Sequence, residues 1–98
     1  MLNIAVYYKL DKHETDTKAV NRINLLINTL TSKKYNIKQV FIDEWSDNKQ
    51  LNKLLEFQLE ELDILYLKDH SNDYFNEELL NEVAKINDFS IVNFDSQI

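Results

Sequence analysis

Carboxylates follow the apolar runs of this 98-residue chain, and they are the side chains with the clearest capacity for chemistry. They are Asp11, Asp43, Asp69 and Asp73. Several carboxylates at one place could hold Mg²⁺, which prefers hard oxygen ligands. One such aspartate could instead accept a phosphoryl group on its carboxylate. The same residues could also cap helices and fill turns, so three interpretations stay open.

Composition excludes several other chemistries. The chain has no cysteine, and therefore neither a disulfide framework nor a thiolate nucleophile. It has no glycine or proline, and the phosphate-binding loops of Walker and dinucleotide-binding type both need glycine. Its two histidines, His13 and His70, are not spaced as a pair of metal ligands. We expect neither a cofactor nor a metal centre, with the carboxylate alternative kept open.

Hydrophobic periodicity predicts the elements that position these residues. Short apolar runs near 2–8, 37–42, 63–67 and 89–94 predict four strands, and helical spacing over 15–32, 46–59 and 71–86 predicts three helices. The buried helix faces should include Val20, Leu59 and Ile86. The order βαβαβαβ predicts one α/β domain over 1–98, a three-layer sandwich around a mostly parallel four-stranded sheet. Ligands of such sheets gather beyond the carboxyl ends of the strands.

Three segments at the predicted strand ends form a recognisable set. They are Tyr7-Tyr8-Lys9-Leu10-Asp11, Phe41-Ile42-Asp43-Glu44-Trp45-Ser46-Asp47, and the segment from Asp63 to Asp73. This set resembles the strand ends of serine recombinase (resolvase and invertase) catalytic domains. In that family the segments read Tyr-x-Arg-Val-Ser, Phe-x-Asp, and Asp-x-Leu-x-Val followed by Leu-Asp-Arg-Leu-x-Arg. The resemblance covers nearly the whole chain and implies a resolvase-like fold.

The departures from the family pattern are chemical. The resemblance places Asp11 where the family has its nucleophilic serine, and it places Lys9, His70 and Asp73 where the family has arginines. Lysine lacks the planar fork with which arginine binds phosphate, and aspartates repel phosphate. The chain also ends before the family's dimerising helix and DNA-binding domain. We therefore expect no enzyme activity, and the degenerate pocket positions are Lys9, Asp11, Asp69, His70 and Asp73.

Charge is divided unevenly along the sequence. Residues 1–42 carry seven basic side chains and three carboxylates, whereas residues 43–98 carry four lysines and fourteen carboxylates. Glu56 and Glu60 are expected as i, i+4 neighbours on the second helix, and Glu78 and Glu82 as such neighbours on the third. These rows could imitate DNA phosphates or could serve solubility alone. The candidate partner-binding surface comprises Glu56, Glu60, Glu61, Glu77, Glu78 and Glu82.

Together these patterns predict a protein-binding domain on a recombinase-like scaffold. The expected partner is a basic or DNA-acting protein. The domain would then be a DNA-mimicking antagonist from a phage or mobile element, of the anti-CRISPR or anti-restriction type, or a regulator of an active recombinase. The alternative is a metal- or phosphate-linked enzyme or phospho-switch that uses Asp11 and Asp69.

The same features predict where the protein acts and what it avoids. Direct nucleic-acid binding is not expected, because the acidic second half would repel phosphates. We expect a cytoplasmic protein with neither a membrane span nor a signal peptide. A homodimer remains open, with Trp45, Tyr74 and Phe75 as candidate contacts.

Overall fold

Strands and helices alternate along the chain, as the periodicity predicts. The structure is a computed structural model that describes residues 1–68 and 74–97, with the side chains of 74–77, 96 and 97 left aside. In chain order the elements are β1 (Asn3–Lys9), α1 (Asp16–Ser32), β2 (Asn36–Asp43), α2 (Lys49–Leu55), a first 3₁₀ turn (Leu59–Glu61), β3 (Ile64–Lys68), α3 (Tyr74–Asn87), β4 (Ser90–Asn93) and a second 3₁₀ turn (Phe94–Gln97).

The four strands form one parallel sheet in the order β2-β1-β3-β4. Tyr7 of β1 is in register with Phe41 of β2 on one side and with Leu67 of β3 on the other. The prediction of an α/β fold with a four-stranded, mostly parallel sheet is therefore confirmed. Strand order matters for function, because it decides which strand ends become neighbours.

The sheet is covered by helices on both faces, which gives two hydrophobic cores. Side chains of β1 alternate between them: Val6 and Tyr8 point toward α1, whereas Ala5 and Tyr7 point toward α2 and α3. The core on the α1 side also contains Ala19, Ile23, Leu26, Leu30, Tyr66 and Phe94. The core on the other side also contains Phe41, Leu51, Leu54, Leu59, Leu62, Leu65, Leu80, Ala84 and Phe89.

Helix ends are built without glycine. The hydroxyl of Thr15 accepts the backbone N–H of Lys18 at 3.2 Å and caps the start of α1. At its end, Lys34 takes the left-handed conformation with φ 63°, and its N–H and that of Tyr35 bond back to the carbonyls of Thr31 and Leu30. This arrangement is a Schellman motif, in which glycine is the usual residue at the left-handed position.

Two predictions about the buried helix faces are wrong. Val20 is 45% exposed on α1, and Ile86 is 78% exposed near the end of α3. Val20 lies at the edge of the stripe that α1 buries, and Ile86 lies away from the face of α3 that Leu80 and Ala84 bury. Leu59 is buried as predicted, but it lies in the first 3₁₀ turn because α2 ends at Leu55. Among the described residues, no helix is long and apolar enough to cross a membrane.

Candidate functional site at the carboxyl edge of the sheet

The chain reverses its direction of winding between β1 and β3. From β1 it moves outward to β2, and it then returns past β1 to β3 and continues to β4. The adjacent carboxyl ends of β1 and β3 therefore flank a topological switch point, where open α/β sheets bind their ligands. Lys9 ends β1, Lys68 ends β3, and Asp11 follows β1 by two residues.

An ion pair joins the two strand ends on the α1 side of the sheet. Lys68 Nζ donates to Asp11 Oδ1 at 3.2 Å and lies 5.2 Å from the centroid of the Tyr8 ring. Lys68 is buried, with 8% of its surface exposed, whereas the Asp11 side chain is 59% exposed. A buried ammonium thus holds an accessible carboxylate at the switch point.

Lys9 lies on the opposite side of the sheet from Lys68. It continues the alternation of Ala5 and Tyr7, and its Nζ donates to Asn48 Oδ1 at 2.8 Å in the connection before α2. Lys9 is also buried, at 5% exposure. The structure therefore brings together Asp11 and Lys68, a residue that sequence analysis did not single out. Asp69, His70 and Asp73 lie outside the described residues.

Asp43 anchors the connection between β2 and α2. Its two carboxylate oxygens accept the Tyr7 hydroxyl at 2.8 Å and the backbone N–H groups of Gln50 and Leu51 at 2.8 and 2.9 Å. It is 2% exposed. A carboxylate with these three donors is a structural cap. Of the three interpretations, a helix cap therefore fits Asp43 better than a metal ligand or a phosphoacceptor does.

A polar cluster on the α1 side shapes the turn that carries Asp11. The Tyr8 hydroxyl donates to Glu14 and accepts from Arg22 at 2.9 Å. The other carboxylate oxygen of Glu14 accepts the backbone N–H of Asp11 at 3.1 Å. Arg22 also bonds to the Asp95 carboxylate. These contacts tie β1, α1 and the second 3₁₀ turn to the Asp11 turn.

Burial and charge set the protonation of this cluster. Burial, followed by the hydrogen bond to Glu14, raises the pKa of Tyr8 well above its ordinary value of 10.0. Burial alone would lower the pKa of Arg22, but the Tyr8 oxygen and the Asp95 carboxylate outweigh it and raise that pKa. The cluster therefore holds a neutral phenol and a permanent guanidinium charge at neutral pH.

Sequence analysis missed Arg22 as a member of this cluster. The available indication was its position on α1, three residues after Ala19 and four before Leu26, which places it beside the buried stripe. Its partners Tyr8 and Asp95 are distant in sequence, and only the fold brings them together.

An open depression of about 570 Å³ adjoins the cluster at the start of α1. It is lined by Asp11, Lys12, His13, Glu14, Lys18 and Arg22. Lys12 Nζ lies 5.5 Å from the ring centroid of Trp45, which is 45% exposed. Within the described ranges, no group of three His, Cys, Asp or Glu residues is arranged to hold a metal ion.

The glutamates of the candidate partner-binding surface belong to the segment from α2 to α3, whose buried residues form the core of Ala5 and Tyr7. The prediction that Glu56 and Glu60 are neighbours on one helix is wrong, because α2 ends at Leu55 and Glu60 lies in the first 3₁₀ turn. Glu78 and Glu82 do share α3 at i, i+4 spacing. The side chain of Glu77 lies outside the described part. We call the five exposed glutamates the acidic face: Glu56, Glu60, Glu61, Glu78 and Glu82.

The structure is similar to catalytic domains of serine recombinases. The C-terminal catalytic domain of ISC1926 TnpA, an IS607-like serine recombinase, matches with a TM-score of 0.75 and 20% identity, over 94% of this chain and 69% of that chain. The N-terminal catalytic domain of TP901-1 integrase matches with a TM-score of 0.72 and 11% identity, over 98% and 79%. No protein-family model matches the chain, and no curated protein matches it by sequence.

The chain is therefore a serine recombinase-like domain by its fold, and the resemblance stated from the strand ends is confirmed. The prediction that the chain is not an enzyme is corrected by the same finding. Both similar structures are catalytic domains, and substitutions at Asp11 and Lys9 do not establish inactivity in a chain with their fold.

Proposed function

We propose that this serine recombinase-like domain binds a basic protein through its acidic face. One observation carries the proposal. All five glutamates are exposed on the elements that pack over the core of Ala5 and Tyr7, and among the described residues only Glu61 of the five has an ion pair, to Lys38 at 4.0 Å. Lys53 and Lys85 lie on the same helices, yet neither lies within 4.0 Å of a described carboxylate. The face thus keeps an uncompensated negative field.

The chemistry of such a face suits a DNA-acting partner. Proteins that bind DNA present lysine and arginine side chains to neutralise phosphates, and exposed carboxylates can occupy those side chains instead. A domain of this kind would act as an antagonist from a phage or mobile element, or as a regulator of an active recombinase. The i, i+4 pair Glu78 and Glu82 supplies two fixed charges on one helix.

Charge reversal on α3 tests this proposal. The probe is a fluorescent lysine-rich peptide, and binding is followed by fluorescence anisotropy at low salt. We expect Glu78→Lys combined with Glu82→Lys to weaken binding roughly tenfold or more, because rim charges of the correct sign become repulsive. Failure of the unmodified protein to bind the peptide would also contradict the proposal.

A matched control separates the acidic face from net charge. Substituting Lys for four exposed neutral residues of α1 changes net charge by the same amount on the opposite side of the sheet; these are Asn21, Asn24, Asn28 and Thr31. We expect this variant to retain most of the peptide affinity. Equal loss in both variants would mean that net charge alone governs binding.

The Asp11–Lys68 contact favours a second candidate, phosphoryl transfer to Asp11. A carboxylate oxygen of Asp11 would attack the phosphorus of a donor such as acetyl phosphate, the P–O bond to acetate would break, and acetate would leave with the electron pair. The Lys68 ammonium, 3.2 Å from Asp11, would offset the charge on the transferred group. The product is an acyl phosphate on Asp11.

Mass spectrometry after incubation with acetyl phosphate tests the second candidate. We expect the mass of one added phosphoryl group in the unmodified protein and in the Glu78→Lys, Glu82→Lys variant. Asp11→Asn combined with Asp69→Asn should abolish it without affecting peptide binding. A phosphorylated product that persists in the Asp11→Asn variant would exclude this chemistry.

A further inference from the structure

The depression beside α1 has a charge balance that differs from the rest of the molecule. Of its six lining residues, the two carboxylates are already engaged. Asp11 pairs with Lys68, and Glu14 accepts the Tyr8 hydroxyl and lies 3.8 Å from Arg22. The described partners of the two carboxylates thus do not include Lys12 or Lys18.

Three nitrogen-bearing side chains of the depression have no hydrogen-bond or ion-pair partner among the residues that the structure describes. They are Lys12, His13 and Lys18, and Lys12 Nζ lies 5.5 Å from the centroid of the Trp45 ring. All three side chains line the same open depression.

We propose that this depression binds the phosphate group of a small anion, either free phosphate or a phosphate monoester. Lys12 and Lys18 would be the main ligands, because Arg22 is already engaged by Glu14 and Asp95. The volume of about 570 Å³ is in the range of small-molecule sites and leaves room for a group attached to the phosphate. The site is independent of the acidic face, which lies on the other side of the sheet.

This site also differs from the positions that the family resemblance assigns to phosphate binding. Those positions are Lys9, His70 and Asp73, and Lys9 lies on the opposite side of the sheet, bonded to Asn48. Cations of the loop after β1 and of α1 would therefore hold the anion in this chain.

Titration with inorganic phosphate, followed by ¹H–¹⁵N NMR at constant ionic strength, tests the proposal. We expect saturable shifts at the amides of Lys12, His13 and Lys18. The Lys12→Ala, Lys18→Ala variant should weaken binding at least tenfold. The Lys33→Ala, Lys53→Ala variant removes the same charge from exposed positions elsewhere and should bind as the unmodified protein does.

A parallel titration with adenosine 5′-monophosphate distinguishes the two sources of phosphate. Tighter binding of the nucleotide, at the same amides, would identify a phosphate monoester as the ligand class. Equal affinity would identify free phosphate. Equal weakening in both lysine variants, or shifts spread over all lysines without saturation, would overturn the proposal.

Discussion

Asp43 shows how one buried carboxylate can organise a strand end. It accepts the Tyr7 hydroxyl and the N–H groups of Gln50 and Leu51 in the first turn of α2, and it is only 2% exposed. We expect Asp43→Ala to lower the free energy of unfolding by about 2–4 kcal/mol, because three buried donors lose their acceptor. The measurement is the urea midpoint of unfolding.

Tyr7→Phe is the matched comparison for Asp43. It removes one donor and leaves the carboxylate bonded to Gln50 and Leu51, so we expect a loss of about 1 kcal/mol. A Tyr7→Phe variant as unstable as Asp43→Ala would show that the helix start does not depend on the carboxylate.

Tyr8 should make stability depend on alkaline pH. Because the folded state raises the pKa of Tyr8, it binds the phenolic proton more tightly than the unfolded state does. The corresponding stability is fully present below the ordinary pKa of 10.0 and is lost as pH rises through the raised pKa. We expect Tyr8→Phe to reduce the decline in the free energy of unfolding above pH 10.0.

Tyr66 contributes to the same decline, since burial raises its pKa as well. Urea titrations on either side of pH 10.0 should therefore show a residual slope in Tyr8→Phe. If the slope of the Tyr8→Phe variant equals that of the unmodified protein, the proton on Tyr8 is not coupled to folding.

At the scale of elements, the amphipathic helix α1 gives a direct test of which residues form the core. Leu25 and Leu26 are adjacent, yet Leu25 is 58% exposed and Leu26 is 1% exposed. We expect Leu26→Ala to cost about 2–5 kcal/mol, the usual range for emptying a core site. Leu25→Ala should change stability by less than about 0.5 kcal/mol.

The glycine-free helix ends carry a cost that substitution can relieve. Lys34 and Asp88 have φ of 63° and 59°, a conformation that costs an L-residue roughly 1–2 kcal/mol. We expect Lys34→Gly to raise the free energy of unfolding by up to about 1 kcal/mol, since glycine's own unfolded-state entropy offsets part of the gain. Lys33, one residue earlier, has φ −87° and needs no glycine, so we expect Lys33→Gly to lower the free energy of unfolding. The urea midpoint of unfolding measures both changes.

Periodicity predicted the helices because each packs one face against the sheet, and it predicted the strands from their short apolar runs. The ends of the elements were harder to predict. Without glycine or proline there is little to mark where a helix stops. The leucine spacing from Leu51 to Leu59 continues through the end of α2, where the N–H groups of Glu56 and Phe57 bond to carbonyls three residues earlier. Because this leucine spacing continues past Leu55, the sequence did not indicate that Glu56 and Glu60 lie on different elements.

The candidate site could be predicted as a location but not as a set of contacts. The alternation of strands and helices predicted a site beyond the carboxyl ends of the strands, and Asp11 follows the first strand. The partner Lys68 depends on β3 lying next to β1, and the Arg22 cluster depends on the chain returning at Asp95. These are long-range placements, which local sequence pattern does not encode.

On the scale of the whole molecule, the two cores separate two surfaces of different charge. The α1 side carries the depression with Lys12 and Lys18, and the α2 and α3 side carries the acidic face. These surfaces do not simply repeat the two halves of the sequence, because Lys38 of the first half pairs with Glu61 and Asp95 of the second half pairs with Arg22 of α1. The serine recombinase-like fold is the scaffold, and the acidic face is the part of it that we propose binds a basic protein.

The most direct test of this account is NMR mapping of the lysine-rich peptide on the ¹⁵N-labelled protein. We predict that the largest amide shifts on saturation lie at Glu60, Glu78 and Glu82, with the loop around Lys12 unchanged. Largest shifts on the α1 side, or shifts spread evenly over the surface, would contradict the assignment of partner binding to the acidic face.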